Sequence, residues 1–244
     1  MSATDLLLAP EKVSAERVSV SAPPLRVSFS WTLAGNLVYA ATQFGVLSAL
    51  AKLGSAAVVG QYALALAIAA PVFMFTNLQL RGVQATDARH QYQFADYFTL
   101  RSLSTLLGLL AVSGLVALSH YDRTTRLVIL VVTLAKAIES FSDVIAGHLQ
   151  KFERLDQVAR ALMIRGAVSV ATFATAFWIT RSLVVASLAL AATWLAVIAL
   201  YDFRVLARVL HSRVYFRFSA PVLGRLTWLS LPLGIVMTLV SLNT

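Results

Sequence analysis

Residues 182–201 read SLVVASLALAATWLAVIALY, twenty positions without one charged side chain. As an α-helix this run is about 30 Å long, the thickness of a bilayer's hydrocarbon layer. It does not alternate apolar with polar, as a membrane β-strand of about ten residues must. Backbone groups in lipid have to be paired within the segment, so a continuous apolar run of this length reads as a spanning helix. The same kind of run recurs along the chain. Ser30–Ala51, Leu53–Leu80 and Ser102–Tyr121 are free of charge, and Leu226–Thr244 is too. About Ala161–Thr180 carries Arg165 near one end, and about Leu127–Leu149 carries Lys136, Glu139 and Asp143 inside it. The expected fold class is all-α: a polytopic transmembrane helical bundle of six helices plus the start of a seventh.

Composition agrees. Of 244 residues, 59% are apolar and 13% charged, against about 45–50% and about 25% in soluble domains. There are too few polar residues to cover an apolar core in water. The net charge of +9 would suggest nucleic acid in a soluble protein. Here the positives lie between apolar spans, so no nucleic-acid partner is expected and the charge belongs to membrane orientation. The absence of cysteine excludes disulfides, thiol catalysis and cysteine-held metal. No phosphate-binding glycine loop, metal-spaced histidine pair or nucleophile elbow occurs, so neither a cofactor nor an enzymatic activity is expected.

Lysine and arginine set the orientation. With the N-terminus inside, fifteen of the twenty fall in inner segments, among them Arg26, Arg81, Arg101, Lys151, Arg165 and Arg217. Outer loops hold only Lys52, Arg123, Arg126 and Arg181, with Lys136 left within the membrane. The expected organisation is a cytoplasmic tail at 1–28, a six-helix bundle at 29–203, a basic cytoplasmic linker at 204–225 and the start of a seventh helix at 226–244. The tail has no cleavable signal pattern. The last run has no closing polar flank, which suggests a fragment or a truncated product.

An ionisable residue within a span costs about 2.5–3.5 kcal/mol on insertion scales and marks function by default. Lys136, Glu139 and Asp143 share one face of a helix through steps of three and four, and that face should avoid lipid. Glu139 and Asp143 are candidates for ion coupling, Lys136 for an anion contact; a charge-neutralising pair is the structural alternative. Thr32, Asn36, Tyr39 and Gln43 form a second polar face on the first span. They either line a cavity opposite the fourth span or hold helices together by hydrogen bonds. Pro71 and Pro232 could bend their helices. Arg81, Arg89 and Arg101 flank the second inner loop, where arginine forks suit phosphate, although the orientation rule explains them equally well.

Several short stretches resemble one family. Lys52-Leu53-Gly54 through Gly60-Gln61-Tyr62-Ala63-Leu64-Ala65 is similar to the first outer turn and second helix of bacterial polysaccharide flippases, the Wzx-like members of the multidrug/oligosaccharidyl-lipid/polysaccharide exporter superfamily. Asn77-Leu78-Gln79-Leu80-Arg81, Asp87-Ala88-Arg89 and Phe94-Ala95-Asp96-Tyr97 resemble the end of that helix and the loop after it. Gly147-His148-Leu149-Gln150-Lys151-Phe152-Glu153-Arg154 resembles the fourth-helix exit, and Leu231-Pro232-Leu233-Gly234 the start of the seventh helix. The resemblance implies half of a MATE-like transporter, which has two pseudo-symmetric bundles around a central cavity. It implies a substrate, an oligosaccharide on undecaprenyl pyrophosphate, moved from the cytoplasmic to the periplasmic leaflet of the bacterial inner membrane for exopolysaccharide or O-antigen synthesis. Asn36, Tyr39, Gln43, Asn77, Arg81 and Lys136 are then candidates for the substrate cavity. Membrane lipids and the polysaccharide polymerase and chain-length machinery are expected partners. A multidrug or cation antiporter of the same superfamily and a non-transporting truncated membrane protein are the alternatives.

Overall fold

The computed structural model describes residues 24–87, 89–210 and 215–242. Most of the expected tail, Arg213 of the expected linker and the last two residues lie outside the described residues. Among the described residues nine α-helices follow in order: α1 (Leu25–Leu53), α2 (Ala56–Thr76), α3 (Leu80–Thr86), α4 (Phe94–Leu118), α5 (Arg123–Lys151), α6 (Leu155–Thr180), α7 (Leu183–Val197), α8 (Phe203–Leu210) and α9 (Ala220–Leu242). A π-helical turn, Ile198–Asp202, joins α7 to α8. No strand occurs among the described residues. The chain is a polytopic helical membrane bundle.

Among the described residues six segments are long and apolar enough to cross a bilayer: Arg26–Leu53, Ala56–Thr86, Phe94–Leu118, Leu155–Thr180, Leu183–Arg208 and Ala220–Val240. The seventh long helix is α5, 29 residues and so about 43 Å. Its charges keep it from reading as apolar, and its position explains how it tolerates them. It packs against α2, α3, α4 and α7, so its polar face meets protein and cavity instead of lipid.

α4, α5 and α6 all begin before the runs read from the sequence. Asp122 caps α5, accepting from the Thr124 and Thr125 N–H groups at 3.0 and 3.1 Å. At the start of α4, Asp96 accepts from the Gln93 N–H at 2.9 Å and the Gln93 side chain returns the bond, a capping box. α1 starts at Leu25, earlier than the expected boundary at 29. The sixth span runs on as helix to Leu210, and α9 starts at Ala220, so helix occupies both ends of the segment expected as a linker.

The second span is broken, though not at Pro71, which lies inside unbroken α2. The break falls at Leu78 and Gln79, both left-handed with φ of 50° and 49°. Neither is glycine, so the geometry is strained. α3 then sits on α5 across Gly147, where a Cβ would come within 3.0 Å of the Arg81 Cα. α1 and α6 meet as closely: a Cβ on Gly35 would lie 2.8 Å from the Ala159 Cα. Small residues let membrane helices approach to this degree.

Two apolar clusters hold the bundle. One gathers Leu50, Tyr62, Val128, Ile129, Phe173 and Trp194. The other gathers Leu80, Phe94, Tyr97, Ile145, Leu149 and Leu206. On α5 the first ends at Ala135 and the second begins at Val144. Between them lies a polar layer built on residues 136–143.

Candidate functional site

The polar layer is built from charge pairs. Lys136 Nζ lies 2.8 Å from Glu139 Oε2, one turn away on α5. The Tyr39 hydroxyl of α1 donates to Glu139 Oε1 at 2.6 Å, so the two polar faces read from the sequence do meet. Lys136 also lies 5.7 Å from the Trp194 ring centre of α7, and the Trp194 indole donates to Ser169 Oγ at 2.7 Å.

One turn further along α5, Asp143 is shared by two arginines. Arg101 of α4 donates to Asp143 Oδ2 at 3.1 Å from a fully buried side chain. Arg81 of α3 lies 3.6 Å from Oδ1, and both of those side chains are about a third exposed. Arg101 also donates to the Asn77 side-chain oxygen, which accepts from Ser140 Oγ at 2.9 Å. A third group joins α5, α6 and the π-helical turn: Arg165 pairs with Asp202 at 3.3 Å, and Ser142 hydrogen-bonds both.

These groups surround two cavities. The first, about 200 Å³, is lined by Asn36, Tyr39, Arg81, Ser142, Arg165 and Asp202 together with Glu139 and Asp143. The second, about 350 Å³, is lined by Asn77, Gln79, Lys136 and Ser140, again with Glu139 and Asp143, and is closed by Met237 of α9. The two carboxylates therefore face both spaces. The layer holds four cations, Arg81, Arg101, Lys136 and Arg165, against three carboxylates, Glu139, Asp143 and Asp202.

Of the residues singled out from sequence, Asn36, Tyr39 and Arg81 line the first cavity, Asn77 and Lys136 the second. Gln43 lines neither. Arg89 lines a separate space of about 640 Å³ beside Tyr92 and α9. Arg101, Arg165, Ser142 and Asp202 complete the layer and were not assigned to it from sequence. The signal was their place well inside a helix: Arg101 lies two turns into α4, and Arg165 ten residues into α6.

Outside the spans, Asp87 anchors the loop after α3. Burial pushes its carboxyl up, but the Gln91 N–H, Lys151 and the Tyr92 N–H outweigh this and hold it below the usual carboxylate range. Lys151 lies 3.0 Å away. On the opposite loop, the Thr125 hydroxyl, with the Thr125 and Thr124 N–H groups, likewise lowers Asp122. Among the described residues no group of three or more His, Cys, Asp or Glu could hold a metal.

No family model matches the chain. It is 27% identical over 218 residues to the capsular polysaccharide biosynthesis protein CapF of Staphylococcus aureus, covering 89% of this chain and 54% of that protein. A solved MOP superfamily transporter from Pyrococcus furiosus shares the fold with a TM-score of 0.57 at 15% identity, over 87% of this chain and 51% of the other. The chain thus spans about half the length of each. Both findings agree with the resemblance read from the motifs: the chain is similar in sequence to a capsular polysaccharide biosynthesis protein and in fold to a MOP superfamily transporter.

Proposed function

We propose that this chain works as one bundle of a flippase that carries oligosaccharide linked to undecaprenyl pyrophosphate from the cytoplasmic to the periplasmic leaflet, for exopolysaccharide or O-antigen synthesis. It sits in the bacterial inner membrane with its N-terminus inside, beside the polymerase and chain-length machinery. No covalent chemistry is involved. The observation that carries this reading is the polar layer: an inner helix keeps charged groups facing two cavities between apolar clusters. Buried charge of this kind is costly and marks a pathway. The similarity to a capsular polysaccharide biosynthesis protein supports the substrate class.

Arg81 and Lys136 hold the anionic end of the substrate, while Asn36, Tyr39 and Asn77 hydrogen-bond it; Gln43, which lines neither cavity, has no part in this reading. The one-cation surplus of the layer favours an anion. Glu139 and Asp143 couple an ion by exchanging partners, since both already hold a cation of this chain, at 2.8 and 3.1 Å. Protonating Glu139 would release Lys136. The same surplus disfavours the cationic cargo of an antiporter, which four cations against three carboxylates would repel.

Deleting the gene should make undecaprenyl-linked oligosaccharide accumulate in the inner leaflet while the glycosyltransferases stay active. No accumulation would sink the reading. Glu139→Gln, which keeps the shape and removes the charge, should lower ion-coupled transport, because an ionisable group kept inside a span at a cost marks the pathway. Unchanged transport would leave Glu139 a structural residue.

A further inference from the structure

Arg101 occupies an unusual place. It is one of the largest fully buried side chains, at 0% exposure, in a helix whose other face meets lipid. Its guanidinium reaches two elements at once. One nitrogen donates to the Asn77 side chain, immediately before the left-handed pair Leu78–Gln79. Another donates to Asp143 in the middle of α5 at 3.1 Å. Asn77 also accepts from Ser140 of α5. The strained break in the second span is therefore tied to α4 and α5 on its α2 side.

The far side of the break is held differently. Arg81, the second residue of α3, reaches Asp143 at only 3.6 Å and Gln150 at 3.2 Å, and its side chain is about a third exposed. α3 is seven residues long and rests on α5 through the Gly147 seat. Gln79 lines the second cavity and the larger space beyond it, while Arg81 lines the first. A movement of α3 about Leu78–Gln79 would change all three spaces together. Strain of this kind persists only where the surroundings over-determine it, and here the fork of Arg101 supplies that.

We propose that Arg101 is a positioning residue: it fixes Asn77 and Asp143 so that α3 turns about Leu78–Gln79 as a gate, latched by the half-buried Arg81–Asp143 pair and, just beyond its last turn, by the Asp87–Lys151 pair. Only the purpose of the motion rests on the flippase reading; the hinge itself does not. Arg101 lines neither cavity and needs no contact with substrate. A guanidinium is required because its planar fork holds two acceptors in fixed directions, which a lysine ammonium does not. An anion entering the first cavity competes with Asp143 for Arg81 and so loosens the latch from the side where substrate arrives.

The chain has no cysteine, so a single introduced thiol reports without background. Val83 on α3 and Val128 on α5 are both buried, one in each apolar cluster, and cysteine is smaller than valine, so neither substitution overpacks. Val83→Cys reports the gate and Val128→Cys is the control, each labelled by a water-soluble maleimide in detergent micelles. Arg101→Gln should raise the labelling rate at position 83 by on the order of tenfold, as expected when a local opening is freed, and leave position 128 unchanged. Asn77→Ala, which disturbs no charge, should do the same to a smaller extent and keeps the test available if the arginine variant folds poorly. Arg101→Lys should behave like Arg101→Gln. Equal rises at both positions would mean general loosening and would overturn the proposal. No rise at position 83, or wild-type labelling with the lysine, would overturn it as well. Labelling reads the hinge whatever molecule is carried, so its failure is separate from failure of the lipid-accumulation experiment.

Discussion

α1 and α5 are both 29 residues long, yet they occupy opposite environments. α1 packs chiefly on α6 and turns Phe29, Leu33, Leu37 and Phe44 outward, each more than half exposed and so available to lipid. α5 is wrapped by α2, α3, α4 and α7, with Val128, Ile129 and Val144 fully buried. The apolar helix goes to the rim and the charged helix to the middle. A membrane gives apolar surface no reason to hide, so small residues and polar contacts decide what lies inside. α1 is held by the close approach at Gly35, α5 by its charge pairs, and the two meet at the Tyr39–Glu139 hydrogen bond.

If that division is right, the largest effects belong to the charge pairs of α5. Asp143→Ala would leave Arg101 buried without its carboxylate, and breaking a buried pair on one side costs about 3–5 kcal/mol. We expect a large drop in the thermal midpoint in detergent, and recovery of part of it when Arg101 is changed to Met in the same chain. A double variant no more stable than Asp143→Ala would show that the unpaired arginine is not the cause. At the rim, Gly35→Val should cost about 1–3 kcal/mol by overpacking, because its Cβ would meet Ala159 backbone at 2.8 Å. Gly60→Val, on an open face, should cost far less; equal effects would mean that close approach is not what holds α1. Where the two helices meet, Tyr39→Phe removes one hydroxyl and should cost about 1 kcal/mol, the usual scale for an interhelical hydrogen bond in membranes.

Much of this arrangement was legible in the sequence, and the part that was not has a physical reason. Uncharged runs located all the spans but the fourth and fifth, which carry charges within long apolar stretches, and steps of three and four placed Lys136, Glu139 and Asp143 on one face. The same criterion trimmed helices at their first charge. Arg101 and Arg165 therefore read as flanks of spans, although α4 begins at Phe94 and α6 at Leu155. Asp202 was not singled out at all, because only the π-helical turn after α7 brings it to Arg165. A single charge inside a span cannot show its partner when that partner lies on another helix; Arg165 and Asp202 are 37 residues apart. Pro71 was the visible candidate for a bend. The actual break at Leu78–Gln79 carries no glycine or proline, and the tertiary contacts of Asn77 hold it.

The smallest effect tests the loops outside this division. Asp87 has its carboxyl held below the usual range by the Gln91 and Tyr92 N–H groups and Lys151, against its burial. A folded-state value below the unfolded one means that the carboxylate stabilises the fold above the ordinary range near 4, roughly the unfolded aspartate value. That contribution is lost as pH falls below this range and through the folded value. The thermal midpoint in detergent should therefore fall on acidification below about pH 4, and Asp87→Asn should lower the midpoint at neutral pH while flattening the acid limb. Asp122 on the opposite loop is lowered too, but it is fully exposed and caps a helix whose other contacts are extensive. Its asparagine variant should keep most of the cap and shift the midpoint less. An acid limb unchanged in Asp87→Asn would mean that the acid sensitivity belongs to other paired carboxylates, such as Asp96 beside Arg217 and Asp156 beside Arg154, and that the charge of Asp87 is not what ties the loop after α3 to α5.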